Sequence, residues 1–243
     1  ALSSAASDVY KRQGINTVFP SVLSAAKKEG YNMEKLTSQS WKEILAAAAA
    51  VFEENCEFLC GLDAQMGDGD LGLTMKKGYA TAAEAAAALE EPGIGKLLMK
   101  VGMKMSSAVP STMGTLMSSG LMTGGKALGD RQEIGAAELA LFLGGFCDGI
   151  IKRGKCAVGD RTILDALDAA RQAAVKAAKQ GGTLEDVAIG ALKGAEEGVE
   201  RTKSMTPKFG KAAVFAAKAV GTADQGAIAG KLLIGAIQSY ICY

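Results

Sequence analysis

The sequence predicts an all-α protein, a bundle or barrel of about eight helices. Hydrophobic residues make up 49% of the 243 residues, and many of these are alanine. Aromatic residues are only 5%, and there are only 4 prolines, which suits close-packed helices better than strands. Apolar residues recur at helical spacing along most of the chain, without convincing strand alternation. The 31 glycines are interpreted as helix punctuation, mainly at segment ends and in loops.

The first 35 residues are predicted to be an N-terminal extension. Residues 1–13 have no hydrophobic period and are interpreted as non-native sequence or a linker. Residues 14–35 contain one short apolar-periodic piece that ends at Gly30, interpreted as a loosely docked helix or a linker. The folded domain is therefore predicted to span residues 36–243.

Helix boundaries within this domain follow from apolar spacing and from helix-breaking residues. One helix is predicted from Thr37 through Leu59, and the next from near Thr74 to Leu89, where Pro92 and Gly93 stop it. One later helix is predicted to begin at Ile94 and another to follow the serine-rich turn near Pro110. The remaining helices are predicted at Ile134–Lys152, from Ile163, from a capping box at Thr183–Asp186, at Lys211–Gly221 and at Ile228–Tyr243.

The stretch Gly61–Gly78 carries the strongest chemical signal. Asp63, Asp68 and Asp70 fall within eight residues and alternate with glycines, and no basic residue lies among them. Crowded carboxylates on a glycine-rich loop favour a site for a hard cation, because a bound cation offsets their repulsion. A solvated acidic turn is the alternative. A calcium loop of the EF-hand type is disfavoured because its regular acid positions and closing glutamate are absent.

Two further segments allow a structural or a functional interpretation. The turn around Pro110 and Ser111 exposes backbone N–H groups at a helix start, as either an ordinary N-cap or a receptor for phosphate oxygens. Asp160 and Arg161 are interpreted either as a cap and a surface pair or as groups that support a nucleotide site.

Composition also excludes classes of partner. The formal net charge is +1, and no Lys/Arg block is interleaved with aromatics, so no nucleic-acid partner is expected. No apolar run reaches the roughly 18 residues of a membrane span, and the start lacks a signal-peptide pattern. A cytoplasmic protein without membrane association is therefore expected. The five scattered cysteines are interpreted as buried, reduced thiols, since there is no histidine to complete a zinc site.

Four motifs occur in a fixed order along the predicted domain. They are LDAQMGDGDLG at Leu62–Gly72, SSAVPSTMGTL at Ser106–Leu116, RGKCAVGDRTILDAL at Arg153–Leu167 and ADQGA at Ala223–Ala227. Together they resemble the nucleotide-binding L subunit of dihydroxyacetone kinase, which also occurs as the C-terminal domain of single-chain kinases. The first and third motifs are specific, and the other two are supportive.

This resemblance implies a barrel of eight antiparallel helices with a nucleotide site at one end. It implies two Mg²⁺ ions that hold the phosphates of ADP or ATP, with Asp63, Asp68 and Asp70 as ligands. The implied nucleotide-binding residues are Leu71, Gly72, Leu73, Thr74, Pro110, Ser111, Gly154, Ile163, Lys211, Asp224, Gln225 and Gly226. Two positions depart from some members: Leu71 replaces a histidine, and Lys211 replaces an arginine, which keeps the charge without the bidentate fork.

The resemblance also implies phosphoryl transfer to dihydroxyacetone or a related small ketose, such as erythrulose, held on a separate K subunit. The chain alone is therefore expected not to phosphorylate the ketose. Two routes of recharging stay open: rephosphorylation of bound ADP by a phosphotransferase-system protein, or exchange of ATP from solution. The alternative function is that of an ADP-loaded regulatory protein without kinase turnover of its own.

Overall fold

The computed structural model describes residues 33–214 and 219–243. Within these ranges it contains nine α-helices and one short strand pair, so the prediction of an all-α protein is confirmed. The helices are α1 (Ser38–Glu54), α2 (Cys56–Asp63), α3 (Leu71–Ala88), α4 (Ile94–Ala108), α5 (Thr112–Leu128), α6 (Ala136–Gly154), α7 (Ile163–Lys179), α8 (Leu184–Thr202) and α9 (Gln225–Cys242). Apart from residues 33–35, the predicted N-terminal extension lies outside the described residues.

Eight of these helices form a closed ring. Among the described helices, each of α3 to α8 packs against the next one along the chain, α1 packs against α3, and α9 returns to pack against α1. The connections between successive helices from α3 to α8 are short, which favours antiparallel neighbours there. Across the closure, the Tyr240 hydroxyl donates to the Glu43 carboxylate at 2.7 Å, 197 residues away. The short strands β1 (Leu36–Thr37) and β2 (Glu133–Ile134) pair antiparallel beside the ring.

The first predicted helix is interrupted at Asn55, which separates α1 from α2. Asn55 is 2% exposed, and its side-chain amide donates to the Val51 carbonyl at 2.8 Å. A short amide side chain that hydrogen-bonds to nearby backbone competes with a regular helix. The spacing of apolar residues passes straight through this break and therefore did not reveal it. The short helix α2 that follows ends at Asp63.

The core of the ring contains few aromatic residues and many close helix contacts. Trp41 on α1 packs against Phe142 on α6 with ring centroids 4.5 Å apart. A Cβ added at Gly120 would lie 2.5 Å from the Phe146 ring. Many glycines therefore lie inside helices at such crossings, so the interpretation of glycine as mainly terminal punctuation was wrong. Small residues there let neighbouring backbones approach closely.

Helix starts near the predicted site differ from the expected positions. The structure begins α3 at Leu71 rather than near Thr74, and α9 at Gln225 rather than Ile228. The predicted helix from Lys211 begins as a 3₁₀ turn, Lys211–Ala213, and part of its remainder lies outside the described residues. The predicted capping box is confirmed, since Thr183 and Asp186 each accept the other's backbone N–H.

In the part of the chain that the structure describes, no helix combines the length and apolar character needed to cross a membrane.

Candidate functional site

The acidic loop, residues 63–70, folds around its first carboxylate. Asp63 lies at the end of α2 and is 8% exposed. One of its oxygens, Oδ2, accepts backbone N–H groups of Gly69 at 2.9 Å, Asp70 at 3.1 Å and Leu71 at 3.4 Å. Its other oxygen accepts the Gln225 side-chain amide at 3.3 Å. Asp63 therefore organises the loop and ties it to the start of α9.

The glycines of the acidic loop have two distinct physical roles. A Cβ added at Gly67 would overlap the Asp63 carboxylate, so a side chain there is sterically excluded. Gly69 has a φ of 77°, in the left-handed region that glycine adopts without steric cost. The alternation of glycines and acids thus follows from the wrapping of the backbone around Asp63.

A cation from a distant part of the chain reaches the acidic loop. The Lys211 ammonium forms an ion pair with Asp68. Its hydrogen bond and charge interaction with Asp68 raise the pKa of Lys211 above its ordinary value, and the charges of Asp70 and Asp63 add to this effect. The sequence shows no base among the three acids, but the fold supplies one from 143 residues beyond Asp68.

The donor chemistry of the loop fits a hard divalent cation, although its carboxylates are not assembled into a closed ligand set. Among residues 33–214 and 219–243, no group of three His, Cys, Asp or Glu side chains lies close enough to hold a metal ion. Asp68 and Asp70 are nevertheless exposed, and only Asp63 is committed to backbone donors. Carboxylate oxygens are the ligands that Mg²⁺ prefers.

Several helix starts meet at this end of the ring. The acidic loop leads directly into α3. A Cβ added at Gly226, on α9, would lie 3.3 Å from the backbone N of Ile163 on α7 and 3.4 Å from the Met113 side chain on α5. The starts of α5, α7 and α9 are therefore adjacent, and Gln225 links them to Asp63. Helix N-termini carry unpaired N–H groups and a partial positive charge, which favour bound anions.

The predicted site residues gather at this end, but they differ in exposure. Leu73, Pro110 and Lys211 are exposed, and Ser111, Gly154 and Gln225 are half-buried. The buried members are Leu71, Gly72, Thr74, Ile163, Asp224 and Gly226. A Cβ added at Gly154 would lie 2.9 Å from Leu116 on α5, which places the third motif beside the serine turn.

Two of the predicted residues act as helix caps. The Ser111 hydroxyl accepts the Gly114 N–H at 3.1 Å, so the interpretation of Ser111 as an N-cap is confirmed. Asp224 accepts the Ala227 N–H at 2.8 Å, and burial raises its pKa to about 6. Both side chains stabilise helix starts at this end of the ring.

Asp160 and Arg161 are buried at the same end, so the interpretation as a surface pair was wrong. The Asp160 carboxylate accepts the Ala157 N–H at 2.7 Å and the Lys208 ammonium at 2.5 Å. Arg161 is 3% exposed and donates to the backbone carbonyl of Thr222 at 3.0 Å and to its hydroxyl at 3.1 Å. Sequence alone gave no sign of these partners, which lie 48 and 61 residues away.

Arg161 also holds an uncommon backbone conformation. Its φ is 60°, in the left-handed region that costs a non-glycine residue on the order of 1 kcal/mol. Two of its guanidinium nitrogens, Nε and Nη1, are buried without a hydrogen-bond partner in the described structure. Surrounding contacts must hold Arg161 in place against both costs.

The fold and this end of it define a class: a helical barrel with an acidic loop and several helix starts at one end. The chain belongs to the DAK2 domain family, whose model matches residues 65–239. It is 28% identical to the ADP-binding subunit DhaL of the PEP-dependent dihydroxyacetone kinase of Escherichia coli, over 75% of this chain and 87% of that subunit.

Longer relatives match over part of their length. The chain is 29% identical to an L-erythrulose kinase of Pectobacterium atrosepticum, over 81% of this chain but 34% of that enzyme. Its fold resembles the solved dihydroxyacetone kinase from C. freundii, crystallised with AMP-PNP and Mg²⁺, with a TM-score of 0.62 and 23% identity. That likeness covers 88% of this chain and 36% of the solved chain, so this chain spans about a third of these kinases.

Proposed function

We propose that the chain is the nucleotide-binding subunit of a kinase for dihydroxyacetone or a related small ketose. It binds ADP or ATP with Mg²⁺ and passes the phosphoryl group to a ketose held on a separate K subunit. The meeting of the acidic loop with the starts of α5, α7 and α9 carries this proposal, because it joins cation ligands to anion-binding N–H groups. Residues 36–243 form the nucleotide-binding domain, and residues 1–35 are an extension to it.

Asp63, Asp68 and Asp70 are the proposed ligands of two Mg²⁺ ions. When bound, these ions would neutralise charge on the terminal phosphates. Lys211 lies beside the same carboxylates and has an exposed ammonium, so it can pair with a phosphate oxygen once released from Asp68. The helix starts supply backbone N–H donors for the remaining oxygens. The chain's own contribution is therefore to position the phosphates and shield their charge.

The other proposed nucleotide contacts divide by exposure. Leu73, Pro110, Ser111, Gly154 and Gln225 are accessible enough to touch a ligand directly. The buried group acts from beneath: Leu71, Gly72 and Thr74 fix the start of α3, while Ile163, Asp224 and Gly226 fix the junction of α7 and α9. Together, these six buried residues shape the surface on which the nucleotide lies.

The partner, the phosphoryl donor and the location are further parts of the proposal. A K subunit would supply the ketose-binding group. Recharging of bound ADP by a phosphotransferase-system protein is supported by the name of the Escherichia coli relative, a PEP-dependent kinase subunit. The erythrulose kinase among the relatives widens the substrate class to other small ketoses. A cytoplasmic location agrees with the five cysteines, four of which are buried and none of which forms a disulfide bond in the described structure.

Calorimetry of the purified chain tests the nucleotide site. ADP affinity is expected to rise sharply when Mg²⁺ is present, and Asp68→Asn is expected to abolish the Mg²⁺-dependent part. Asp130→Asn is the matched control, because Asp130 is also an exposed partner of a lysine, Lys96, outside the site. Strong Ca²⁺ binding without nucleotide, or unchanged ADP affinity in Asp68→Asn, would contradict the proposal.

Turnover measurements test the division of labour between subunits. The chain is mixed with ATP and dihydroxyacetone, with and without a K subunit from a kinase of this family. No ketose phosphate is expected without the K subunit. Robust phosphorylation by the chain alone would overturn the proposed need for a partner.

A further inference from the structure

Asp160 anchors the backbone that precedes Lys211 at two points. Its carboxylate accepts the Lys208 ammonium at 2.5 Å, and its backbone carbonyl accepts the Lys208 N–H at 3.2 Å. The side chain of Asp160 is 7% exposed, whereas that of Lys208 is 65% exposed. The buried carboxylate of Asp160 thus holds Lys208, whose side chain lies largely at the surface.

The loop that carries Asp160 is itself held by the first turn of α7. Asp165 is 1% exposed and accepts the N–H groups of Gly159 at 2.5 Å and Thr162 at 2.7 Å. Asp160 also accepts the Ala157 N–H. Charge-assisted hydrogen bonds of this kind are short and strong. Asp160 is therefore part of a rigid support rather than of a loose loop.

Lys211 lies three residues after Lys208, and its side chain faces the acidic loop. The turn from Gly210 closes through a hydrogen bond from the Ala213 N–H to the Gly210 carbonyl at 3.3 Å. Ala212 packs with Met66 of the acidic loop in a small buried cluster. The position of Lys208 therefore fixes where the turn begins, and the turn fixes where the Lys211 ammonium lies.

We propose that Asp160 is a positioning residue of the nucleotide site, which acts through Lys208 to hold Lys211 beside the phosphate-binding end. This inference rests on the proposed function, since it assumes that Lys211 contacts the nucleotide. In this proposal Asp160 itself contacts neither the nucleotide nor a metal ion. Its effect is to keep the Lys211 ammonium within reach of the acidic loop and of the phosphates, so less freedom is lost when the nucleotide binds.

A double-mutant cycle separates positioning from general damage to the fold. The dissociation constant of Mg-ADP is measured by calorimetry for the wild-type chain, Asp160→Asn, Lys211→Met and the double variant. Asp160→Asn alone is expected to weaken binding about tenfold, the low end for residues that orient ligand-binding groups. In the Lys211→Met background, the same change is expected to alter affinity less than about twofold, because the group that it positions is gone.

Two further variants control for folding. Asp168→Asn is matched to Asp160→Asn, since the Asp168 side chain is 8% exposed and pairs with Arg171 away from Lys211; it is expected to leave Mg-ADP affinity unchanged. Lys208→Met breaks the same anchor from the exposed side, so it tests the proposal even if Asp160→Asn does not fold. It is expected to weaken binding as Asp160→Asn does.

The outcomes distinguish the two proposals. Equal weakening by Asp160→Asn with and without Lys211, or weakening by Asp168→Asn of the same size, would overturn the positioning role while leaving the nucleotide site intact. Unchanged Mg-ADP affinity in both Asp160→Asn and Lys208→Met would also overturn the positioning role. A wild-type chain that binds no Mg-ADP would overturn the proposed function, and the positioning role with it.

Discussion

Two loops at the same end of the ring are each folded around a buried carboxylate, but their other acidic side chains differ in exposure. In the acidic loop, the buried Asp63 collects three backbone N–H groups, and Asp68 and Asp70 remain exposed. In the loop before α7, the buried Asp165 collects two N–H groups, and Asp160 faces inward. A carboxylate that gathers N–H donors can fold either loop. The two loops differ in the direction of their remaining charges: Asp68 and Asp70 are exposed, whereas Asp160 is buried and pairs with Lys208.

The largest expected contrast is between removal of the two organising carboxylates. Asp165→Ala should lower the free energy of unfolding by about 3 kcal/mol, because two short hydrogen bonds to a charged acceptor are lost. Asp63→Ala should cost only about 1 kcal/mol, because loss of its hydrogen bonds is offset by relief of repulsion from Asp68 and Asp70. Urea unfolding of both variants measures the difference. Equal losses would show that the three acids of the acidic loop do not repel one another appreciably.

Asp224 extends this comparison to a deeply buried capping carboxylate at the start of α9. Burial raises its pKa from 3.8 to about 6 in the folded chain. The folded state therefore binds this proton more tightly than the unfolded state, and the stability that it contributes falls as pH rises from about 4 to 6. The loss approaches about 3 kcal/mol at the upper end, at 1.36 kcal/mol per pKa unit.

The measurement for Asp224 is the free energy of unfolding across this pH range for the wild-type chain and Asp224→Asn. The variant lacks the titrating group, so its stability relative to wild type should increase from pH 4 to pH 6. A constant difference between the two proteins would show that the Asp224 pKa is not raised.

The smallest expected contrast is between two glycines, one in each loop. Gly67→Ala should destabilise the chain by about 2 kcal/mol, because the new methyl group would displace the Asp63 carboxylate. Gly159→Ala should cost about 1 kcal/mol, for its left-handed backbone alone, since nothing lies within 4 Å of an added Cβ. Thermal unfolding of both variants tests the order. Reversal of that order would mean that Asp63 moves aside readily.

Local features of the fold and site were predictable, because helical spacing and crowded acids are properties of short stretches. The all-α class and the capping box at Thr183 were predicted in this way and confirmed, and of the two alternatives for the serine turn the N-cap is observed, at Ser111. The interruption at Asn55 was missed, because a single buried amide does not disturb the apolar period.

Long-range contacts were not predictable from spacing. The ion pair of Lys211 with Asp68 and the anchor of Lys208 on Asp160 join residues 143 and 48 positions apart. Nothing in the local pattern distinguishes these lysines from other surface lysines. The internal glycines were misread for the same reason, since their role depends on which helix crosses them.

Closure of the ring by α9 has a consequence for how the chain folds. The hydrogen bond between Tyr240 and Glu43 spans 197 residues, so the side of α1 that packs against α9 stays uncovered until α9 has formed. Loop-closure entropy rises only slowly with length, so this late contact adds little to the thermodynamic cost. It does delay complete burial of α1, which packs against α3 as well as α9, until the rest of the ring has been synthesised.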